Sequence, residues 1–133
     1  MQSPANLQVS SKALELAEAI YRLTSEYPKN EMFGLTTQMR RAAVSIGSNI
    51  YEGCGREGDK ALLAFLRISL GSATELQFQL LLSSRLRVGD EVKLRQAGAR
   101  TVEVKKMLSR LIVGIDAQAR RTRVAGRAME GAE

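Results

Sequence analysis

Residues Asp59–Leu86 read DKALLAFLRISLGSATELQFQLLLSSRL, and this stretch decides the fold. Projected at about 100° per residue, Leu62, Leu66, Leu70, Ala73, Leu76 and Leu80 share one face, while Ile68, Leu82 and Leu86 fall on nearly the opposite one. Apolar positions recurring at three and four belong to an α-helix, and a helix apolar on two sides must be covered twice. Its own bundle is the first cover. The second is expected to be another subunit, which makes Ile68, Leu82 and Leu86 the candidate oligomer interface. Cover by the chain's own fourth helix is the competing possibility.

Outward from this helix the chain is punctuated on both sides. Gly53-Cys54-Gly55-Arg56-Glu57-Gly58 breaks the pattern before it, with Asp59 placed to cap, and Arg87-Val88-Gly89-Asp90 turns the chain after it. Upstream, Leu35, Met39, Ala42, Ala43, Ile46 and Ile50 line one side of a helix from about Phe33 to Glu52, beside small residues that admit a close neighbour. A first helix spans about Ser11–Tyr27, with Leu16, Ile20, Leu23 and Tyr27 on its apolar face. A last helix begins near Asp90, and Leu94, Thr101, Val104, Leu108, Leu111 and Ile115 form its inward stripe. Both prolines, Pro4 and Pro28, precede all but the first helix, so nothing interrupts the later ones. The expected organisation is an N-terminal extension over 1–10, a four-helix bundle over 11–121 and a disordered basic tail over 122–133, where two glycines and no apolar period remain.

Composition narrows the function. The 133 residues, 44% hydrophobic and 26% charged, make one domain, and no apolar run approaches the roughly 18 residues of a membrane span. With no signal-peptide pattern at the start, a cytoplasmic location is expected. One cysteine excludes an intramolecular disulfide, and the absence of histidine removes imidazole bases, triads and His-ligated metals, so no enzyme activity and no cofactor are expected. Cys54, with no base to activate it, reads as a small buried residue near a helix end. Gly53, Gly55 and Gly58 spell G-x-G-x-x-G, but the dinucleotide fingerprint follows a strand and here a helix precedes it. A glycine-rich turn is the favoured reading.

Charge is uneven. Lys and Arg number 20 against 14 Asp and Glu, and residues 91–133 hold ten of the former and five of the latter. On the last helix Arg95, Lys106, Arg110, Arg120 and Arg121 project within an arc of about 100° opposite the core stripe. Clustered cations attract phosphate whatever the base sequence, so these five are the candidate nucleic-acid-binding residues, with a solvated surface as the plain alternative. No aromatic side chain accompanies them, which excludes a base-stacking platform. A second polar group, Arg40 and Arg41 with Glu52 and Glu75, reads as a structural seam that fixes helix register, with Glu75 the expected partner of an arginine. A hydrolase built on Glu52 and Glu75 is the least favoured class, because no metal partner accompanies these acids.

The runs Tyr27-Pro28-Lys29-Asn30-Glu31, Leu35-Thr36-Thr37-Gln38-Met39-Arg40-Arg41-Ala42 and Ser45-Ile46-Gly47-Ser48-Asn49-Ile50-Tyr51-Glu52-Gly53, extended by Phe65-Leu66 and Gly71-Ser72-Ala73-Thr74-Glu75-Leu76, carry a resemblance. Over roughly residues 10–118 the chain resembles the S23-like four-helix-bundle family, named after proteins encoded in intervening sequences of bacterial 23S ribosomal RNA genes. The resemblance implies an antiparallel up-and-down four-helix bundle assembling as a homopentamer. It also implies kinship with the accessory protein of diversity-generating retroelements, which binds a reverse transcriptase and nucleic acid. Tyr51 stands where that family carries alanine. The expected function is a non-catalytic oligomeric module that binds RNA or DNA backbone, and the alternative is an adaptor for a protein partner.

Overall fold

The structure, a computed structural model, describes residues 7–132. Four α-helices account for most of it: α1 (Gln8–Thr24), α2 (Thr37–Cys54), α3 (Asp59–Arg85) and α4 (Glu91–Ala132), with no strand among the described residues. Each helix packs on two neighbours, in the cyclic order α1, α2, α3, α4. Cross-helix contacts fix the directions. Arg40 reaches Thr24 while Gly47 faces Ala13; Ile46 meets Ser69 while Met39 meets Ser83. Gln77 meets Lys105 while Ser84 meets Glu91; Glu26 meets Lys93 while Lys12 meets Glu103. In every pair the numbers run oppositely, so the bundle is antiparallel and up-and-down, as short connections between adjacent helices require.

The core is the set of apolar stripes that the periodicity marked. Leu16, Ile20, Leu23, Met39, Ile46, Ile50, Leu66, Leu76, Val104 and Leu108 are fully enclosed. Each such side chain contributes about 1.5–3 kcal/mol of burial. Between α2 and α3 the fit depends on small groups: the buried Ser69 hydroxyl donates to the Ile46 carbonyl at 2.8 Å, and Ser45 and Ser72 share a hydrogen bond of 2.7 Å. At the end of α2 a Cβ on Gly53 would stand 2.8 Å from Phe65 Cβ, so only glycine lets the first turn of α3 approach.

Between α1 and α2, a 3-10 turn (Lys29–Glu31) and a π-type turn (Met32–Thr36), broken by non-helical Gly34, precede α2, which therefore begins four residues later than expected. The Tyr27 hydroxyl donates to Ser83 Oγ at 2.7 Å and pins this connection to α3. Gly89, at φ +90°, is required twice, because a Cβ there would also lie 2.6 Å from the Tyr27 ring. Burial raises the Tyr27 phenol above its ordinary pKa, with Glu31 adding to the rise and the Ser83 hydrogen bond opposing it.

Three sequence expectations change. Of the extension expected over 1–10, residues 1–6 lie outside the described residues, and Gln8–Ser10 already belong to α1 with Val9 and Ser10 buried. The tail expected to be disordered from residue 122 continues α4 to Ala132. No proline stops it, and the packed part of α4 supplies the costly helix nucleus, so only propagation remains. Asp59 does not cap α3; it is the first helical residue behind Gly58, whose φ of +84° makes the turn, while Asp90 does cap α4 by accepting from the Lys93 amide at 3.0 Å.

Two glycines of α2 should respond oppositely to alanine. Gly53→Ala is expected to destabilise the fold by about 1–3 kcal/mol through overpacking. Gly47→Ala, whose new Cβ would meet only Ala13 at 3.9 Å, is expected to stabilise it by about 0.5–1 kcal/mol. Urea unfolding of the two variants checks the sign of each.

Candidate nucleic-acid interface

The candidate interface is built on α4. Leu94, Ala97, Thr101, Val104, Leu108, Ile112 and Ile115 are buried against the bundle, which turns the opposite side outward. Arg95, Lys106 and Arg110 are exposed on that outer side, and Arg120 and Arg121 follow on the same helix beyond the last buried residue, Ile115. The helix therefore brings all five predicted residues to one continuous surface. Arg120 is paired with Asp116 at 3.1 Å; no ion pair among the described residues involves Arg95, Lys106, Arg110 or Arg121.

Three other cations of α4, Lys93, Arg100 and Lys105, are engaged by neighbours. Arg100 pairs with Glu15 at 3.4 Å, Lys12 of α1 pairs with Glu103 at 3.4 Å, and Lys93 pairs with Glu26, so the flank facing α1 is neutralised. Lys105 donates to Gln77 at 2.7 Å on the α3 flank. Beside it, Val102, Lys106, Ser109 and Arg110 line a shallow groove between α3 and α4. Such exposed pairs add little stability, about 0–1 kcal/mol each, but they sort the charge. What remains on the outer face is a row of exposed cations of which only Arg120 has an ion pair among the described residues, the kind of surface whose counterions a polyanion displaces.

The sequence reading missed part of this surface. Arg123 and Arg127, assigned to a disordered tail, lie on the continued helix and are exposed. The signal that could have found them is the absence of any helix-breaking proline after Pro28, which outweighs the loss of apolar period.

The proposed seam does not close within one chain. Arg40 donates to Thr24 Oγ1 at 2.9 Å and to the Tyr21 carbonyl at 3.4 Å, with its guanidinium 4.6 Å from the Tyr21 ring centre, and so ties α2 to α1. Glu52 pairs with Arg56 at 2.7 Å, one turn further along the chain. Glu75 accepts from Gln79 at 3.1 Å and has no ion pair among the described residues. Arg41 lies exposed in a groove with Tyr21 and Val44. Neither Arg40 nor Arg41 pairs with Glu75 among the described residues of one chain, because helix periodicity does not give the relative rotation of two helices.

The interface residues also divide. Ile68 and Leu86 are more than half exposed, whereas Leu82 is partly buried and packs in part on the core. On α3, Phe78, at 61% exposure, and Leu81, at 58%, are further exposed apolar side chains that the reading overlooked. Cys54 is buried, and burial pushes its thiol above the ordinary value, opposite to what a nucleophile needs. Among the described residues no group of three or more His, Cys, Asp or Glu side chains could hold a metal ion, and no helix is long and apolar enough to cross a membrane.

Comparisons with known proteins agree with this architecture. The family described as "23S rRNA-intervening sequence protein" matches residues 5–110. Among solved structures, the chain is similar to a protein of unknown function from the S23 ribosomal protein family of Bacteroides thetaiotaomicron VPI-5482. The two share 26% identity with a TM-score of 0.71, over 78% of this chain and 97% of the other. No curated protein matches the chain.

Arg40 has a structural role on this geometry, and that is testable. Arg40→Ala is expected to lower stability by about 1 kcal/mol in urea unfolding, through loss of its hydrogen bonds to α1. Nucleic-acid affinity measured on the same preparation should be unchanged; a fall in affinity without a fall in stability would move Arg40 into the interface.

Proposed function

The chain belongs to the 23S rRNA-intervening sequence protein family, and from that premise we propose that it acts as a non-catalytic, oligomeric accessory module that binds nucleic-acid backbone through the outer face of α4. The observation that carries this reading is the row Arg95, Lys106 and Arg110, exposed and without ion pairs among the described residues, on a helix whose α1-facing cations Lys93 and Arg100 are paired with acids. Phosphates would replace water and counterions there, which gives binding that falls steeply with salt and reads no base sequence. RNA and DNA both present such a backbone, and the outer face by itself does not choose between them. The module brings no chemistry of its own in this reading; it positions the nucleic acid, or a protein that acts on it.

Self-association belongs to the same proposal, with the homopentamer implied by the family resemblance as its form. Two surfaces support it. The α3 flank presents Ile68, Phe78 and Glu75, apolar with an unpaired acid. The groove of α1 and α2 presents Leu14, Tyr21, Val44 and Tyr51 with Arg41 at its end, apolar with an unpaired base. Different but complementary patches on one chain make heterologous contacts, and these close into rings. A ring repeats the basic face, so several weak contacts act together.

Light scattering and binding titrations test the two halves separately. Ile68→Glu with Phe78→Glu is expected to yield a smaller species, and an unchanged mass would overturn the α3 contact. Lys106→Glu with Arg110→Glu should weaken RNA and DNA binding and lower the slope of log affinity against log salt by about 1.4–1.8. An unchanged slope would place the contact elsewhere. Failure of the native oligomer to bind any nucleic acid at low salt would make the protein-adaptor reading the leading one.

A further inference from the structure

The bundle ends before α4 does. α3 has 27 residues and α4 has 42, and Ile115 is the last buried residue of α4. Residues 120–131 are exposed at every position and helical throughout, so α4 continues past the bundle as a free arm. At about 1.5 Å per residue this stretch is about 18 Å long. The family match stops at residue 110, so the arm belongs to this chain rather than to the matched region.

Its side chains are not those of a helix awaiting an apolar partner. Arg120, Arg121, Arg123 and Arg127 face a single carboxylate, Glu130, over 120–131. Relative to Arg120, and at about 100° per residue, Arg121 lies about 100° to one side and Arg123 about 60° to the other. Between them fall Arg127, Val124 and Gly131, of which the last two are small enough to let a surface approach the helix axis. Arg120 and Arg127 thus lie between the flanking Arg121 and Arg123, and four cations share one side of the arm, in line with Lys106 and Arg110 on the bundle. The Arg120–Asp116 pair lies within one turn and Arg120 is itself exposed, so the pair is a weak one that a phosphate can displace.

We propose that this arm is a groove-binding element for B-form duplex DNA, seated in the major groove with Arg121 and Arg123 on the phosphates of its opposite walls. The proposal rests on the nucleic-acid reading above and specifies the partner. An α-helix with its side chains is about 10–12 Å across, and the B-form major groove is about 12 Å wide, so a bare helix enters it lengthwise. The A-form groove is deep and narrow and excludes such a helix, which sets duplex RNA apart from duplex DNA. No Asn or Gln lies within 120–131 to read adenine, so any preference among base pairs would come from arginine on guanine, and the phosphate contacts themselves tolerate any sequence. A rigid helix is required. A flexible tail of equal charge would bind single strands and either duplex alike.

The experiment compares the full-length native oligomer on a duplex DNA, a duplex RNA of the same sequence and a single strand, by fluorescence anisotropy across salt. Ala125→Pro keeps every charge and breaks only the arm, which no core residue touches, so thermal melting of the bundle should not move. It is expected to lower duplex-DNA affinity about tenfold and to abolish the preference for DNA over RNA duplex, leaving single-strand binding in place. Replacing Arg120, Arg121, Arg123 and Arg127 by Gln should do the same and also lower the duplex salt slope. Native affinity in Ala125→Pro, or equal binding of the two duplexes by the unaltered protein, overturns the groove. If both arm variants bind normally while Lys106→Glu with Arg110→Glu does not, the arm proposal falls and the function stands. Should the unaltered protein bind no nucleic acid but retain an acidic polypeptide such as polyglutamate, both fall.

Discussion

The close approach of α2 to α3 is the constraint on which the other contacts depend. It is secured by absence as much as by attraction: no Cβ at Gly53, where Phe65 takes the space, and hydroxyls rather than branched side chains at Ser45, Ser69 and Ser72. The Ser69 hydroxyl, buried, has its hydrogen-bonding capacity met by the Ile46 carbonyl, so the seam costs no orphaned donor. With α3 held at this distance, its second flank is left to α4. The heptad-like stripe of α4 can meet it in only one rotation. That rotation determines which residues of α4 face water, and so which cations can meet a partner.

Electrostatics then separates the surfaces that packing creates. On the flank between α1 and α4, Glu15, Glu26 and Glu103 answer Arg100, Lys93 and Lys12, so the flank carries little net field. The outer face of α4 has no such answer, and the excess of positive charge concentrates there. Elsewhere the exposed apolar side chains are tied to single charges of opposite sign, Glu75 on α3 and Arg41 on α2. A monomer with these two patches unmatched leaves apolar area in water and two charges without partners, and stacking copies in a ring would resolve both at once.

Periodicity made most of this legible in the sequence, because it depends on local geometry alone. The apolar stripes of α1 to α4, the turn over Arg87–Asp90 and the start of α4 near Asp90 are all statements about residues within a few positions of one another, and they hold. The π-type turn before α2 was not legible, since the Tyr27–Ser83 bond that pins this connection spans the fold. For the same reason spacing did not show that no arginine meets Glu75 within one chain: which side of one helix meets which side of another is set by packing. The partial cover of Leu82 was not legible because a projection divides a helix into two faces, whereas a bundle helix has intermediate flanks that neighbours cover in part. The basic face was legible because it is defined by what it avoids, the core stripe of its own helix.

Charge and helix stability are coupled along α4. Like charges one turn apart, Lys106 with Arg110 and Arg123 with Arg127, each oppose helix formation by about 0.2–0.5 kcal/mol. Over the bundle, burial of Leu108, Ile112 and Ile115 on the inward side outweighs that repulsion several times over. Past Ile115 nothing is buried, and the arm persists by propagation from a helix already nucleated. Two glycines, Gly126 and Gly131, weaken it further. A polyanion laid along the arm, as proposed, would cancel the repulsion that disfavours the helix and so favour the conformation that presents the arginines. Binding and helicity of the arm would then be linked, each increasing the other.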